Sequence, residues 1–319
     1  MLFQVKTKKN KLNVLNGSIK PRFKKIKSIF LKVKYVARNV IYVKKWQEKD
    51  IHRKIIHTSY FQKNNFKMQK VEFYFNSYLV KIINEPNPLM EKVKELRRRS
   101  FFGDSKKRNF DVDEFDEHCD HLVVIDRSKS DDFVVGTYRL LIKPKKLKYR
   151  RFYSESEFNI NNFYKDKKIS MLEAGRSCVH EKYRNGRIIR LLWRGLATYI
   201  LKNRVDLIFG CASFPSSNYL LFKNQLSYLH HNHMPPKEYA TFPHNHLKAS
   251  YSVLEKDSIN EKCEFRRLPP LIKAYIRAGA WVGPGAIADR EFNTTDVLII
   301  LKSENIMKKY SQLAFNQRK

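Results

Sequence analysis

The sequence predicts an α/β fold built on one sheet, and three observations carry that expectation. Residues 121–126 (HLVVID) and 133–142 (FVVGTYRLLI) read as two strands, separated by the polar stretch RSKSDD that suits a hairpin loop. The run from Leu172 to Leu196, LEAGRSCVHEKYRNGRIIRLLWRGL, reads as strand, glycine-containing loop and helix in succession. A further strand, Val205–Ser213 (VDLIFGCAS), follows that helix. An antiparallel strand group followed by a strand–helix–strand unit belongs to an α/β sheet enzyme.

Taken in chain order, the first element is basic. Residues 1–67 hold nineteen Lys/Arg against two acidic residues, so +17 of the total +33 lies there and +16 in the remainder of the 319 residues. Within it, Ile26, Ile29, Phe30, Val33, Ala37, Val40 and Ile41 recur at helical steps, with Lys27, Lys34 and Arg38 mostly opposite. That spacing predicts a basic amphipathic helix over Ile26–Val43, suited to an anionic interface or to a solvated charge run. Residues 1–67 therefore read as an extension, and 68–319 as the catalytic domain. Tyr78–Ile83 (YLVKII) predicts a strand, and Leu89, Val93 and Leu96 after Pro86 and Pro88 predict a helix. Met171–Val179 is a further strand, and Arg187–Asn203 is a helix with Leu191, Leu192, Leu196 and Ile200 inward. A shorter helix is expected around Tyr219–Leu226, another over Pro270–Val282, and a last strand at Asp296–Leu301.

The charge implies an anionic partner, which could be nucleic acid, an acidic membrane surface, or an acidic carrier protein with a phosphate-bearing arm. A zinc finger, an aromatic RNP-like strand and a helix-turn-helix are all missing, so no nucleic acid partner is expected. The four cysteines (119, 178, 211 and 263) form no Cys-x-x-Cys pair, which suits a reducing compartment. No apolar stretch approaches the ~20 residues that cross a bilayer. The expectation is a cytoplasmic protein that touches the inner face of the membrane.

The glycine-containing loop carries the chemistry. Gly186 lets the backbone turn closely, the following helix presents unpaired N–H groups, and Arg184 and Arg187 add guanidinium donors, all suited to a phosphate. With EAGRSCVHEKYRNGR at Glu173–Arg187, the chain resembles the Gcn5-related N-acyltransferase superfamily. It is more closely similar to bacterial L-ornithine N-alpha-acyltransferases, the ornithine-lipid enzymes often labelled hemolysin-like. Further stretches carrying this likeness are DEFDEHCDHLVV (113–124), VVGTYRLL (134–141), LLWRGL (191–196), FGCASF (209–214) and LPPLIKAYIRAGAWVG through FNTTDVLIIL (268–301).

The resemblance implies a mixed, mostly antiparallel sheet flanked by helices. It implies transfer of a 3-hydroxyacyl chain from acyl carrier protein to the α-amino group of L-ornithine, giving lyso-ornithine lipid, with no permanently bound cofactor and the phosphopantetheine thioester as co-substrate. Other acceptors, such as glycine, tyrosine or a homoserine-lactone precursor, remain open, because acceptor identity sits in a few side chains. Where the superfamily loop has a second small residue this chain has Ile188-Ile189, which favours a carrier-protein donor over acetyl-CoA. Backbone N–H groups near Ser177, Cys178 and Val179 are the superfamily's usual oxyanion donors.

A second resemblance, to acyl-homoserine-lactone synthases, falls on Arg97 with Phe101, Asp113 with Asp116, Arg139, and Glu173 with Arg176. It implies an acceptor pocket and its electrostatic clamp. By strand alternation Glu173 and Arg176 should point to opposite faces. Glu173 is the candidate base for the amine, or a buried carboxylate paired with an arginine. Asp113, Glu114, Asp116 and Asp120 are candidates for holding the δ-amine of ornithine, or a solvated acidic loop. Ser213 and Cys211 are expected to line the acyl tunnel. His118, Cys119 and His121, and the group His230, His231, His233, His244 and His246, lack zinc-site spacing, so no metal is expected.

Overall fold

The computed structural model describes residues 71–103, 110–142 and 151–306. The extension 1–67 and the helix expected at Ile26–Val43 lie outside the described residues.

The described residues begin with a hairpin that the sequence reading missed. β1 (Glu72–Phe75) pairs antiparallel with β2 (Tyr78–Ile83) around a turn in which Asn76 takes a positive φ of 51°. Asn tolerates this left-handed conformation, which makes a two-residue turn possible without glycine. Helix α1 (Leu89–Phe102) follows, its first N–H capped by Asn87 Oδ1 at 3.0 Å; of the expected apolar positions it buries Val93 and Leu96, while Leu89 is half-buried and Met90 is buried beside it. β3 (Asp120–Asp126) and β4 (Val134–Ile142) form the expected hairpin.

After two single-turn helices and the short β5 (Phe158–Asn159), β6 (Met171–Val179) runs antiparallel to β4. Helix α2 (Arg187–Asn203) crosses to β7 (Leu207–Phe214), which lies parallel to β6. All other strand neighbours are antiparallel, so the main sheet is mixed and mostly antiparallel, in the order β1-β2-β3-β4-β6-β7 and then the C-terminal strands. Those are β9 (Trp281–Val282), β10 (Ile287–Asp289) and β11 (Thr294–Lys302); β11 pairs β7 from Phe214 to Leu207.

Helix α3 (Lys223–Asn232) begins after a single turn at Tyr219–Phe222, later than expected. β8 (Phe242–Pro243) pairs with β5, and α4 (Glu261–Arg267) precedes α5 (Pro270–Arg277). The helix expected over Pro270–Val282 stops at Arg277. The chain turns at Ala278-Gly279 because Trp281 and Val282 are taken by pairing with Ile300 and Ile299 of β11.

The sheet is covered on both faces. Leu172 and Ala174 of β6, with Leu122 and Tyr138, pack against Ile188, Leu192 and Leu196 of α2. Each such Leu or Ile is fully buried and contributes about 1.5–3 kcal/mol. On the other face Val123 and Ile125 meet α1, while Met171 and Phe209 meet Phe152, Phe158 and Phe163. This second face holds the site.

Candidate active site

The parallel pair β6/β7 sets the geometry. Its register runs Met171↔Leu207, Leu172↔Ile208 and Glu173↔Phe209, and then pairing stops, although β6 continues to Val179 and β7 to Phe214. At the point of divergence Gly210 presses against Ala174; a Cβ there would lie 2.3 Å from the Ala174 carbonyl oxygen. Beyond it the β7-facing edge of Gly175–Val179 has no strand partner among the described residues. A backbone edge opened inside a sheet offers N–H donors to a developing oxyanion. Along their other edge Cys178 and Val179 pair with Thr137 and Gly136, and the Cys178 side chain packs toward α1.

Beside this opening lies the start of α2. Gly186, its N-cap, has φ +83°, a left-handed conformation that strains any L side chain. Asn185 Oδ1 accepts from Arg187 N at 3.0 Å, and Arg184 Nε donates to Val179 O at 3.1 Å. Arg184 and Arg187 are exposed, whereas Ile188 is fully buried in the core. The bulk that replaces a second small residue thus points into the core.

A bulge shapes the wall of the opening. Between Gly175↔Arg139 and Cys178↔Thr137 the register shifts, and Arg176 takes a positive φ of 48°. Strict alternation would send Arg176 away from Glu173. The bulge turns it to the same face, where its guanidinium lies 4.8 Å from the Tyr153 ring, and Tyr153 N donates to Glu173 Oε2 at 2.8 Å.

Arg97, Arg139 and Arg176 meet Asp111, Asp113 and Asp116 in one network. Arg97, with no exposed surface, donates to Asp111 Oδ2 at 2.6 Å and to both oxygens of Asp116 at 2.6 and 3.1 Å. Arg139 donates to Asp113 and, at 3.2 Å, to Asp116. Arg176 Nη2 donates to Asp113 at 3.0 Å, and its Nε lies 3.3 Å from Asp111 without a hydrogen bond. Burial works to raise the Asp116 pKa, but the hydrogen bonds and charge of Arg97, then the charge of Arg139, hold it at about 2.

The acidic pocket expected for ornithine's δ-amine is therefore not what Asp113 and Asp116 present, because arginines occupy their oxygens. Asp120 is taken by Asn84 and Tyr199, and Glu114 is exposed. Arg97 holds the network from beneath and reaches no opening. Phe101 stands edge-on to Phe292, whose ring also lies 4.9 Å from the Arg176 guanidinium.

Glu173 is also committed. One oxygen accepts from Ser154 N at 2.7 Å and Ser154 Oγ at 2.5 Å, the other from Tyr153 N. It is 6% exposed, and burial raises its pKa against the opposing effect of the Ser154 bonds. This geometry makes Glu173 the anchor of the Tyr153–Ser156 turn, with three donors already bound to its carboxylate.

Three carboxylates that the sequence reading missed lie next to that turn. Glu157, Asp289 and Asp296 each offer an oxygen, all within 4.8 Å of one another. Asp296 faces Ser213 in the β11/β7 register, and Ser213 is exposed at the open end of β7. Burial, and then the charge of Glu157, raises the Cys211 pKa well above normal, so its thiol stays protonated and is no nucleophile. Of the histidines singled out above, His121 Nε2 contacts Asp116 O, His231 Nε2 contacts Leu254 O, His233 Nε2 contacts Tyr228 OH and His244 Nε2 contacts Glu155 O, while His118 is exposed. Among the described residues no helix is long and apolar enough to cross a membrane.

A family model described as an acetyltransferase (GNAT) domain matches residues 93–194, the stretch from α1 to α2. The chain is 39% identical over 222 residues to the L-ornithine N(alpha)-acyltransferase of Agrobacterium fabrum, covering 68% of this chain and 75% of that protein. It is 41% identical over 208 residues to the protein of the same name from Rhizobium meliloti, covering 64% and 70%. Among solved structures, the acyl-homoserine-lactone synthase LasI aligns at 14% identity with a TM-score of 0.39, over 71% of this chain and 90% of that one.

Proposed function

The chain belongs to the L-ornithine N(alpha)-acyltransferase family, and from that premise we propose that it moves a 3-hydroxyacyl chain from acyl carrier protein to the α-amino group of L-ornithine, forming lyso-ornithine lipid. The divergence of β6 from β7 past Glu173 and Phe209 is the observation that carries this reading. It opens a slot between two strands, floored by the Ala174/Gly210 contact and flanked by the start of α2. A phosphopantetheine arm fits such a slot, with its phosphate near the first turn of α2 and the exposed Arg184 and Arg187, and its thioester against the free edge of Gly175–Val179.

The chemistry then runs as a direct transfer. The amine sheds a proton to water and attacks the thioester carbonyl, and the tetrahedral oxyanion is met by backbone N–H groups of β6. Collapse breaks the C–S bond, and the thiolate takes the second amine proton as the amide forms. Glu173 supports this by fixing Tyr153, whose ring packs on the guanidinium of Arg176. Arg176 Nε, paired at 3.3 Å but not hydrogen-bonded, retains donor capacity for the acceptor's carboxylate.

Carrier protein as donor is supported by the charge of +33, which favours an acidic partner. The same charge supports peripheral contact with an anionic membrane surface, where the product accumulates. The test is mass spectrometry of lipids from a host that lacks aminolipids and expresses the full chain. The expected result is a new N-(3-hydroxyacyl)ornithine. An acylated glycine or tyrosine in its place would overturn the acceptor. Turnover of purified protein with acyl-CoA but not with acyl carrier protein would overturn the donor.

A further inference from the structure

Glu157, Asp289 and Asp296 converge on one point at the edge of the opening. Glu157 follows the turn that Glu173 anchors, and Asp296 lies across from Ser213 on the diverging end of β7. Asp289 ends β10, in register with Thr294. Glu157 and Asp296 are each 5% exposed, yet Glu157 Oε2 and Asp296 Oδ1 have no hydrogen-bond partner. No ion pair among the described residues involves any of the three. Buried carboxylates normally acquire a cation or hydrogen-bond donors, as Asp116 does here. Three carboxylates gathered in one cluster, two of them buried and each with an orphaned oxygen, therefore point to a cationic ligand.

We propose that these three carboxylates hold the side-chain ammonium of a diamino-acid acceptor and so select it over acceptors with a neutral side chain. The inference rests on the ornithine reading above. A primary ammonium donates three hydrogen bonds at about 2.8 Å, which sets its three acceptors about 4.6 Å apart, and the oxygens here lie within 4.8 Å of one another. A hard metal ion would seek six or more oxygen ligands, and the neighbours beyond the triad are Tyr153, Cys211, Ser213, Thr294 and the Arg176 guanidinium. Holding the distal amine as a cation also makes it non-nucleophilic, so only the α-amine is presented to the thioester. The triad thus contributes to the choice of amine as well as the choice of amino acid.

The experiment compares wild type with Asp296→Asn and Glu157→Gln in the full-length protein, using L-ornithine and L-norvaline, which has the same three-carbon arm without the δ-amine. The expected result is an ornithine KM raised at least tenfold with kcat within about threefold, and norvaline kcat/KM unchanged. Thermal melting of the ligand-free variants should hold or rise, because each removes a carboxyl whose ionisation burial and its acidic neighbours disfavour; a variant that does not fold is replaced by Asp289→Asn at the half-exposed position. Equal losses on both acceptors would overturn the proposal, as would a stoichiometric divalent ion whose chelation abolishes ornithine turnover. A wild type that acylates only an amine without a second cationic group would overturn the ornithine reading and the pocket together. If wild type acylates ornithine while its preference over norvaline survives both substitutions, the pocket alone falls.

Discussion

Replacing Glu173 by Gln separates an anchor from a base. Glu173 receives three hydrogen bonds, from Tyr153 N at 2.8 Å, Ser154 N at 2.7 Å and Ser154 Oγ at 2.5 Å. Gln keeps one oxygen, which can serve both Ser154 donors. Its NH₂ then faces the Tyr153 N–H, donor against donor. The loss is one charge-assisted bond, about 1.5–3 kcal/mol, plus an orphaned N–H, about 1–3 kcal/mol. Relief from burying a charge returns part of this, because burial already raises the Glu173 pKa. The net expectation is a loss of roughly 2–4 kcal/mol, or a melting temperature lower by roughly 5–15 °C for a domain of this size. Ser154→Ala in the two backgrounds should couple to Glu173 by about 1 kcal/mol or more. Turnover should fall with a pH–rate profile of unchanged shape. The anchor reasoning is refuted if melting is unchanged while kcat drops by about 10²–10⁴ and the acid limb of the profile disappears, the signature of a lost general base.

Three further outcomes follow from named groups. Stability should peak on the acid side of neutrality. The folded pKa values of Glu157 and Asp296 are raised, to about 8 and about 6, by burial first; the charge of Asp296 then acts on Glu157, and Asp289 acts on both, only partly offset by Tyr153, Cys211, Ser213, Thr294 and Arg176. Raised values give stability that is full below the unfolded pKa near 4 and is lost as pH rises toward 8. Asp116, held at about 2, gives the opposite limb, lost as pH falls from about 4 toward 2. Melting curves should show both limbs, and Glu157→Gln should flatten only the alkaline one; an unchanged alkaline limb contradicts the assignment. Arg97→Met leaves Asp111 and Asp116 buried without their main partner, so denaturant melts should show a loss of about 3–5 kcal/mol; a loss under about 1 kcal/mol would mean the network is not held by Arg97. Gly210→Ala drives a methyl into the Ala174 carbonyl, and overpacking of that kind costs about 1–3 kcal/mol. It should lower both stability and turnover, and full activity would show that the strands diverge without that contact.

The fold was largely legible because its central elements carry strong periodicity. Leu191, Leu192, Leu196 and Ile200 mark one face of α2, and all are buried. β1 escaped because EFYF lacks alternation and its turn, Asn76-Ser77, has no glycine. Helix α4 escaped because EKCEFRR buries only Glu264, so no apolar stripe announces it. The site was half legible. Family resemblance gathered Arg97, Asp113, Asp116, Arg139 and Arg176, and the structure brings them together. Their pairing could not be read, because a single-residue bulge at Arg176 reverses the side of the strand from which it acts. Glu157, Asp289 and Asp296 left no local signal, since each stands in an unrelated segment and they meet only through β7/β11 pairing and the turn at Tyr153.

The two acidic clusters of this protein differ in the one respect that matters for binding. Asp111, Asp113 and Asp116 face three arginines, so that network is neutral and largely hydrogen-bonded within itself, with Arg176 Nε left without a hydrogen bond. Such a network gives shape, because removing any member leaves an uncompensated buried charge. Glu157, Asp289 and Asp296 have no cation among them, and two of their buried oxygens are unsatisfied. Arg176 stands between the clusters: it is bonded into the first, and its charge acts on Asp296 in the second. An amino acid bound there with its carboxylate toward Arg176 and its distal ammonium among the triad would give Arg176 Nε an acceptor and the triad a cation. The α-amine, lying between those two ends, is then the group left facing the slot between β6 and β7.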